Sequence, residues 1–448
     1  MTTAKEKPIV IRDLGDGLIL RRSSQEDTEA LATFNATVHS DEGPEHPDDK
    51  VAAWTRDLLS GLHPTHRPDD FTIVEEIDTG KIVSAMNLIS QTWTFEGIPF
   101  NVGRPELIGT LPEYRKRGLI RLQFEEVHKW SAQRGELVQA ITGIPYYYRQ
   151  FGYEIGLDLG GGRAGFEPQL PKLAENEPFF FRHAVEADIP FLIETAAHGA
   201  KRSTVNCLYD EIMWRYVLCG QSEKNDNRRK FLIIERAGND EPVGYLAHPW
   251  YPWRNGLITN EFELKPGVSW LEVTPSAARY LWQTGGEMLA RQNRPRTAYT
   301  FWLGREHPAY EAMRDALPRI QPPEAWYVRI PNLAAFIQHI RPALEQRLAE
   351  SIAVGYSGEL GLDFYRTGLQ MIFENGILID TITIDKPSPR EFASARFPDL
   401  TFLHLVFGHL SLEDLLHVYP DCWFENDTTR CLLNILFPKR PSNPIGVT

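Results

Sequence analysis

Long apolar runs are missing from this chain. No stretch approaches the roughly 20 consecutive apolar residues that a bilayer span requires, although 42% of the 448 residues are hydrophobic. No membrane partner is expected. The opening MTTAKEKPIVIRDLGDG lacks the apolar centre of a secretory signal, so a cytoplasmic setting is the expectation. Cysteine is scarce: Cys207, Cys219, Cys422 and Cys431 are the only four. They show no C-x-x-C spacing and no histidine partner pattern, which argues against a disulfide framework and against a metal site. Positive charge is also short. The 47 Lys and Arg face 60 Asp and Glu, for a net charge of −13. That balance disfavours nucleic acid and attracts cationic small molecules. The length exceeds one ordinary core, so two or three domains are expected.

What is present centres on residues 106–153. Glu106–Leu111 reads as a strand, with Leu107, Gly109 and Leu111 alternating with Ile108 and Thr110. Pro112-Glu113-Tyr114 breaks it. Arg115-Lys116-Arg117-Gly118 follows, and Leu119–Arg134 reads as a helix with Leu119, Leu122, Val127 and Trp130 on one face. A strand that feeds a basic, glycine-containing loop at a helix N-terminus is suited to an anion. The first N–H groups are unpaired, the helix dipole is positive there, and glycine allows close approach. Phosphate or pyrophosphate is the chemistry implied.

The run Arg115-Lys116-Arg117-Gly118-Leu119-Ile120 resembles the Arg/Gln-x-x-Gly-x-Gly/Ala motif of the GNAT N-acetyltransferases, with Ile120 in place of the usual small residue. Downstream, Ala140–Gly143 looks like the following strand, and Tyr148-Arg149-Gln150-Phe151-Gly152-Tyr153 resembles the family's Y-x-x-F-G-Y segment. The resemblance is strong over roughly residues 15–165. It implies acetyl-CoA as co-substrate and direct acetyl transfer to an amine, with no enzyme nucleophile. It further implies that the backbone of Ile108 and Thr110 holds the pantetheine arm. Arg115, Lys116, Arg117, Gly118, Leu119, Ile120 and Arg121 would cradle the pyrophosphate. Tyr148 matches the family's general acid, and the adjacent Tyr146 and Tyr147 leave a slip of one open. For the base, the resemblance points to a terminal carboxylate, here Thr448, although the tail lacks the family's aromatic end. A water relay from Glu96 or Glu106 is the other option.

The rest of the chain is read in order. Leu18–Arg22, helices to about Val38 and over Asp48–Ser60, and strands Phe71–Glu76, Ile82–Leu88, Gln91–Phe95 and Ile98–Val102 precede the loop. His63 and His66 fall in a proline-bearing segment and read as surface residues. Phe166–Pro178 is a polar connector. The pattern then restarts with Phe179–Val185, a helix to about Ala197, and strands Phe231–Glu235 and Val243–Ala247. Ser269–Val273 takes the place of the cofactor strand, without an Arg-x-x-Gly loop after it. Ala316–Pro331, with four prolines, is the second boundary. Leu333–Glu350 reads as one amphipathic helix, and Gly358–Tyr365, Gly368–Glu374 and Gly376–Ile384 as strands.

The expected fold is α/β (α+β): a catalytic GNAT domain over 1–166, a degenerate second copy over 179–320, and an α+β domain over 330–448 that resembles sterol-carrier-like domains. This order is similar to the enhanced-intracellular-survival acetyltransferases. That likeness implies a homo-oligomer, trimer or hexamer. It also implies a small cationic amine as acceptor: aminoglycoside-like, a polyamine, or a lysine side chain. A non-catalytic carrier that uses the C-terminal domain for an apolar ligand is the rival expectation.

Overall fold

The computed structural model describes residues 9–144, 146–173, 176–385 and 393–445. The chain opens with β1 (Val10–Gly15), β2 (Leu18–Arg22), α1 (Thr28–Val38), α2 (Asp49–Leu59), β3 (Phe71–Glu76), β4 (Lys81–Phe95), β5 (Ile98–Thr110), α3 (Leu119–Gln133), β6 (Val138–Ile141) and β7 (Glu154–Leu159). The pieces expected over 82–110 fuse into the two long strands of one hairpin, β4 and β5. The side chains alternate as a two-faced strand requires. Ala85 and Ile89 join Leu31, Phe34, Trp54 and Leu58 of α1 and α2 on one face. Met86 and Leu88 join Phe124 and Val127 of α3 on the other.

A second unit contains β8 (Gly162–Gly165), β9 (Phe179–His183), α4 (Ile189–Ala200), β10 (Val205–Cys207), α5 (Glu211–Arg215), β11 (Arg229–Arg236), β12 (Glu241–Pro249), β13 (Gly256–Thr259), β14 (Glu261–Leu264), α6 (Trp270–Ala290), β15 (Ala298–Phe301), α7 (Pro308–Ala312) and β16 (Arg319–Gln321). Ser269–Val273, expected as a strand, is mostly the first turn of α6. Val273, Ala277 and Leu281 recur every four residues on its buried face, and that helical period outweighs the short alternation. The strands that precede α6 are β13 and β14. The short β10 crosses back to pair with β4 of the first sheet.

The third region follows β17 (Glu324–Arg329). It holds α8 (Leu333–His339), α9 (Arg341–Ala349), β18 (Gly358–Asp363), β19 (Thr367–Glu374), β20 (Ile377–Asp385), β21 (Ala395–Arg396), α10 (Phe402–Val406), α11 (Leu412–Val418), β22 (Trp423–Phe424) and α12 (Asp427–Leu436). Leu333–Glu350 is thus two helices. Pro342 opens the second one, as expected for a residue that lacks the N–H needed inside a helix. One continuous core joins this region to the first sheet. Phe336 packs against Phe95, Phe100 and Phe407 at ring separations of 5.5–6.3 Å. Among the described residues, no helix is long and apolar enough to cross a membrane.

The connection between the first two units is an exchange of strands. The segment expected as the second boundary holds β16 and β17, separated by Pro322-Pro323. β17 inserts between β6 and β7 in the first sheet. Reciprocally, β8 inserts between β15 and β16 in a sheet of the second unit. A two-stranded ribbon, 154–165 against 319–329, therefore passes from one unit to the other. Gly160-Gly161-Gly162 bends one strand where Pro322-Pro323 bends its partner. Gly161 has φ +79°, and a Cβ there would lie 2.6 Å from the nitrogen of Pro323. Both the backbone conformation and the contact demand glycine. We predict that Gly161→Ala lowers the unfolding free energy from denaturant titration by about 3 kcal/mol, from left-handed strain plus overpacking. A variant as stable as the parent would show that the ribbon tolerates a side chain at its bend.

Candidate active site

β5 and β6 run parallel, yet they pair only at Val102↔Val138 and Gly103↔Gln139. Beyond that point β5 stays with β4, and β6 is held by β17. The strands diverge and leave Ile108–Thr110 with one edge facing a gap. A bulge sharpens the divergence. Asn87 stands opposite Glu106 and Ala85 opposite Gly109, so Leu107 and Ile108 share one partner position. Leu107 has φ +49°. An unpaired strand edge of this kind offers N–H and C=O groups to an extended ligand.

The gap leads to the loop before α3. Lys116 and Gly118 both take left-handed conformations, φ +64° and +75°. The bond from Leu122 N–H to the Gly118 carbonyl, 3.2 Å, begins the helical ladder, so the N–H groups of Leu119, Ile120 and Arg121 are the helix's unpaired donors. Arg115, Lys116 and Arg117 are exposed. Arg115 Nε lies 3.3 Å from the Thr110 carbonyl, and the Arg117 guanidinium sits 5.3 Å from the Tyr114 ring centre. Leu119 is buried against Leu18, Leu20, Val74 and Val83. Ile120 packs with Ile108, Phe124 and Tyr148, so its branched side chain belongs to the core. Arg121 donates to Gln150 Oε1 at 2.9 Å and lies over the Phe151 ring.

Tyr148 stands across the gap from β5. A Cβ placed at Gly143, just beyond β6, would lie 3.7 Å from its hydroxyl. The ring is buried among Phe124, Tyr147, Tyr153 and Tyr327, at centroid separations of 5.3–6.3 Å. Burial first, and then the negative charge of Glu106, pushes the phenol above its ordinary value. It stays protonated and able to donate. The turn that presents it has Tyr146 at φ +61°, and the Tyr146 N–H donates to Tyr327 Oη at 3.1 Å. Tyr327 belongs to β17, so the exchanged strand positions this turn. Tyr146 is exposed, Tyr147 half-buried and Tyr148 buried.

On the α1–α2 face of the bulge Glu106, one of the two carboxylates weighed for a water relay, is joined by polar groups that the sequence does not announce. Glu106 is ion-paired with the fully buried Arg104. Asn87, also fully buried, has neither amide atom hydrogen-bonded among the described residues. The His39 ring bonds to the Leu107 backbone, and burial lowers its pKa. Its Nε2 has no partner among the described residues. Only the fold gathers these groups, and no spacing could have marked them.

His63 and His66, expected on the surface, are buried. His63 packs edge-on against Tyr216 at 4.7 Å and His66 against Phe71 at 5.5 Å. Burial, helped by the charges of His66 and Arg104, brings His63 down to about 3. Burial also brings His66 to about 4, opposed by its bond to the Leu58 carbonyl. Glu96 sits at the far end of the β4–β5 hairpin, 13 strand residues from the loop. It is paired with Arg347 at 3.0 Å and with Arg440, which places it outside this site. Thr448 lies outside the described residues. The tail before it runs beside the exchanged ribbon, where Asn443 Oδ1 accepts from the Gly160 N–H at 2.6 Å and the Pro444 carbonyl accepts from Trp326 Nε1 at 3.0 Å.

The two neutral histidines make stability acid-sensitive. The unfolded chain binds their protons near pH 6.5 and the folded one only near 3–4. Stability is therefore complete above about pH 6.5 and falls as pH drops through that window, by up to ~1.4 kcal/mol per pH unit for each group. Thermal melts from pH 7 to 4 should show this slope, and His63→Gln should make it shallower. An unchanged slope would mean that His63 is protonated in the native state.

Residues 20–156 match the acetyltransferase (GNAT) domain family. No curated protein shows significant sequence similarity to the chain. Among solved structures, a GCN5-related N-acetyltransferase from Kribbella flavida is 16% identical, over 96% of this chain and 98% of that one, with a TM-score of 0.63. A probable N-acyltransferase from Enterococcus faecalis V583 is 14% identical over 95% and 97%, with a TM-score of 0.64. Eis1 from Mycobacterium abscessus is 13% identical over 95% and 99%, with a TM-score of 0.57. At these identities the likeness speaks for the fold. The chain thus carries a GNAT acetyltransferase domain over residues 20–156, set in a longer architecture that these solved structures share along nearly their whole length.

Proposed function

We propose that the protein is an acetyl-CoA-dependent N-acetyltransferase whose acceptor is the primary amine of a small cationic molecule: aminoglycoside-like, a polyamine or a lysine side chain. One observation carries this reading. The gap between β5 and β6 opens at one end onto the Gly118 loop, and Tyr148 stands across it from the bulge. The residues present fit the co-substrate. The free edge at Ile108–Thr110 suits an extended amide chain, and the N–H groups of 118–121 with Arg115, Lys116 and Arg117 suit a pyrophosphate. Bound acetyl-CoA supplies the activated acetyl thioester.

The remaining work falls to the chain. An amine arrives as an ammonium and must lose a proton before it can attack. His39, kept neutral by burial, and Glu106 are the acceptors at the bulge, directly or through water. As the acetyl group passes to nitrogen and the carbon–sulfur bond breaks, Tyr148 Oη gives its proton to the departing sulfur. The net charge of −13 favours a cationic acceptor. The same reading takes 179–320 as a second GNAT copy without a phosphate loop and 330–448 as a sterol-carrier-like scaffold, in a cytoplasmic homo-oligomer.

Arg117→Ala is expected to weaken acetyl-CoA binding about 10-fold in calorimetry with an unchanged melting temperature. Equal affinity would remove Arg117 from the cradle. Tyr148→Phe should cost 10²–10⁴-fold in kcat with cofactor affinity within about threefold, so a variant with parental turnover would relieve Tyr148 of the acid role. Because the phenol is held above its ordinary value, the wild-type rate should rise with pH as the acceptor deprotonates and show no alkaline loss below about pH 10.

A further inference from the structure

A cavity of about 1100 Å³ opens where the second unit meets the tip of the β4–β5 hairpin at Glu96 and Gly97, the end of α9 at Arg347 and Glu350, and the tail at Arg440, away from the Gly118 loop. Topology explains its place. β13 pairs in parallel with β15 over Gly256–Thr259. After Asn260 the chain continues as β14, bonded to β12 and no longer to β15. β14 and β15 diverge as β5 and β6 do, so the second unit keeps the gap. It does not keep the anion loop, because Lys265-Pro266-Gly267-Val268-Ser269 leads straight into α6. Trp270 at the start of that helix closes against Phe262 and His307, each at 5.0 Å. A diphosphate has no cradle here, and the space that remains lies toward α4.

The floor of that space is acidic. Glu261 and Glu263 are two residues apart on β14 and so share a face. Glu261 is paired with Arg229 and accepts from Tyr245 Oη at 3.0 Å. Glu263 is held by Arg202 at 2.6 Å. α4 passes so close that a Cβ on Gly199 would stand 2.6 Å from Glu263 Oε1. Burial raises the Glu263 carboxyl to about 7 although Arg202 pulls it down, so its charge is incompletely supported. The cations of the wall are mostly committed: Arg202 to Glu263, Arg305 to Asp158, Arg347 and Arg440 to Glu96. The carboxylates of Glu306, Glu311 and Glu350 at the rim are exposed, with no basic partner among the described residues. Among the described residues of the wall, Lys201 and Arg163 are the cations without a carboxylate partner, and Arg163 lies over the Tyr310 ring. Trp214, Tyr209 and Tyr310 add aromatic wall, which also favours a cation over an anion.

We propose that this cavity is a second small-molecule site, separate from the acetyl-transfer cleft, and that it binds an organic ammonium on Glu263 between the carboxylate floor and the aromatic wall. The strand divergence that makes room for a thioester in one unit makes room for an amine ligand in the other.

Calorimetric titration of spermidine into the full chain tests this, with Glu263→Gln removing the charge and Ala197→Trp filling the space from the exposed side of α4. The wild type should bind spermidine in an event that both variants weaken at least 10-fold, with acetyl-CoA binding unchanged in each. Absence of spermidine binding in the wild type, or equal binding in all three proteins, would overturn the proposal. Ala197→Trp keeps the test open if Glu263→Gln does not fold. Acetyl-CoA titrates the first unit alone, so its failure to bind the wild type would count against the transferase reading and leave this one standing.

Discussion

β6 can leave β5 after two residue pairs because β17 holds its other edge. A strand torn from one neighbour in the middle of a sheet would strand its N–H and C=O groups, and each buried unpaired group costs about 1–3 kcal/mol. The exchanged strand pairs the far edge of β6 and keeps it in the sheet, so that only the groups facing the gap are left for a ligand or water. It also supplies Tyr327, whose hydroxyl fixes the turn that carries Tyr148, and Trp326, whose indole holds the tail. The cleft, the Tyr148 turn and the path of the tail therefore share one support, donated from more than 160 residues downstream of β7.

The two gaps of the molecule are built alike and finished differently. In the first unit the diverging strand ends in a basic loop whose left-handed residues turn backbone N–H groups outward. In the second, the helix begins after five residues, with an indole where the loop would be. The charged pairs follow suit. Arg104 and Glu106 sit two apart on β5 beside the first gap, and Glu261 and Glu263 sit two apart on β14 beside the second. Each carboxylate has an arginine beside it, but at Glu263 burial outweighs that arginine and raises the carboxyl.

Much of the first unit was legible because its signals are local. Arg115–Gly118 and the helix after it lie within 20 residues, and turn chemistry and helical period act at that range. The long hairpin was read in pieces, since alternation weakens where both faces are buried, as along Ile82–Ile89. Ser269–Val273 misled because five residues fit a strand as readily as a helix. His63 and His66 looked exposed beside prolines, and Tyr216, from the second unit, packs against His63.

By itself, then, the sequence determined the basic glycine loop, the tyrosine turn, the restart of the pattern near Phe179 and the absence of a long apolar span, all properties of neighbouring residues. Tertiary structure alone decided that β8 and β17 trade units, that Leu107 bulges toward His39, and that the charge of Glu106 comes near Tyr148. Those contacts join residues tens to hundreds of positions apart. Their identity depends on strand register and sheet order, which are set by packing over the whole chain and leave no mark in any short window of it.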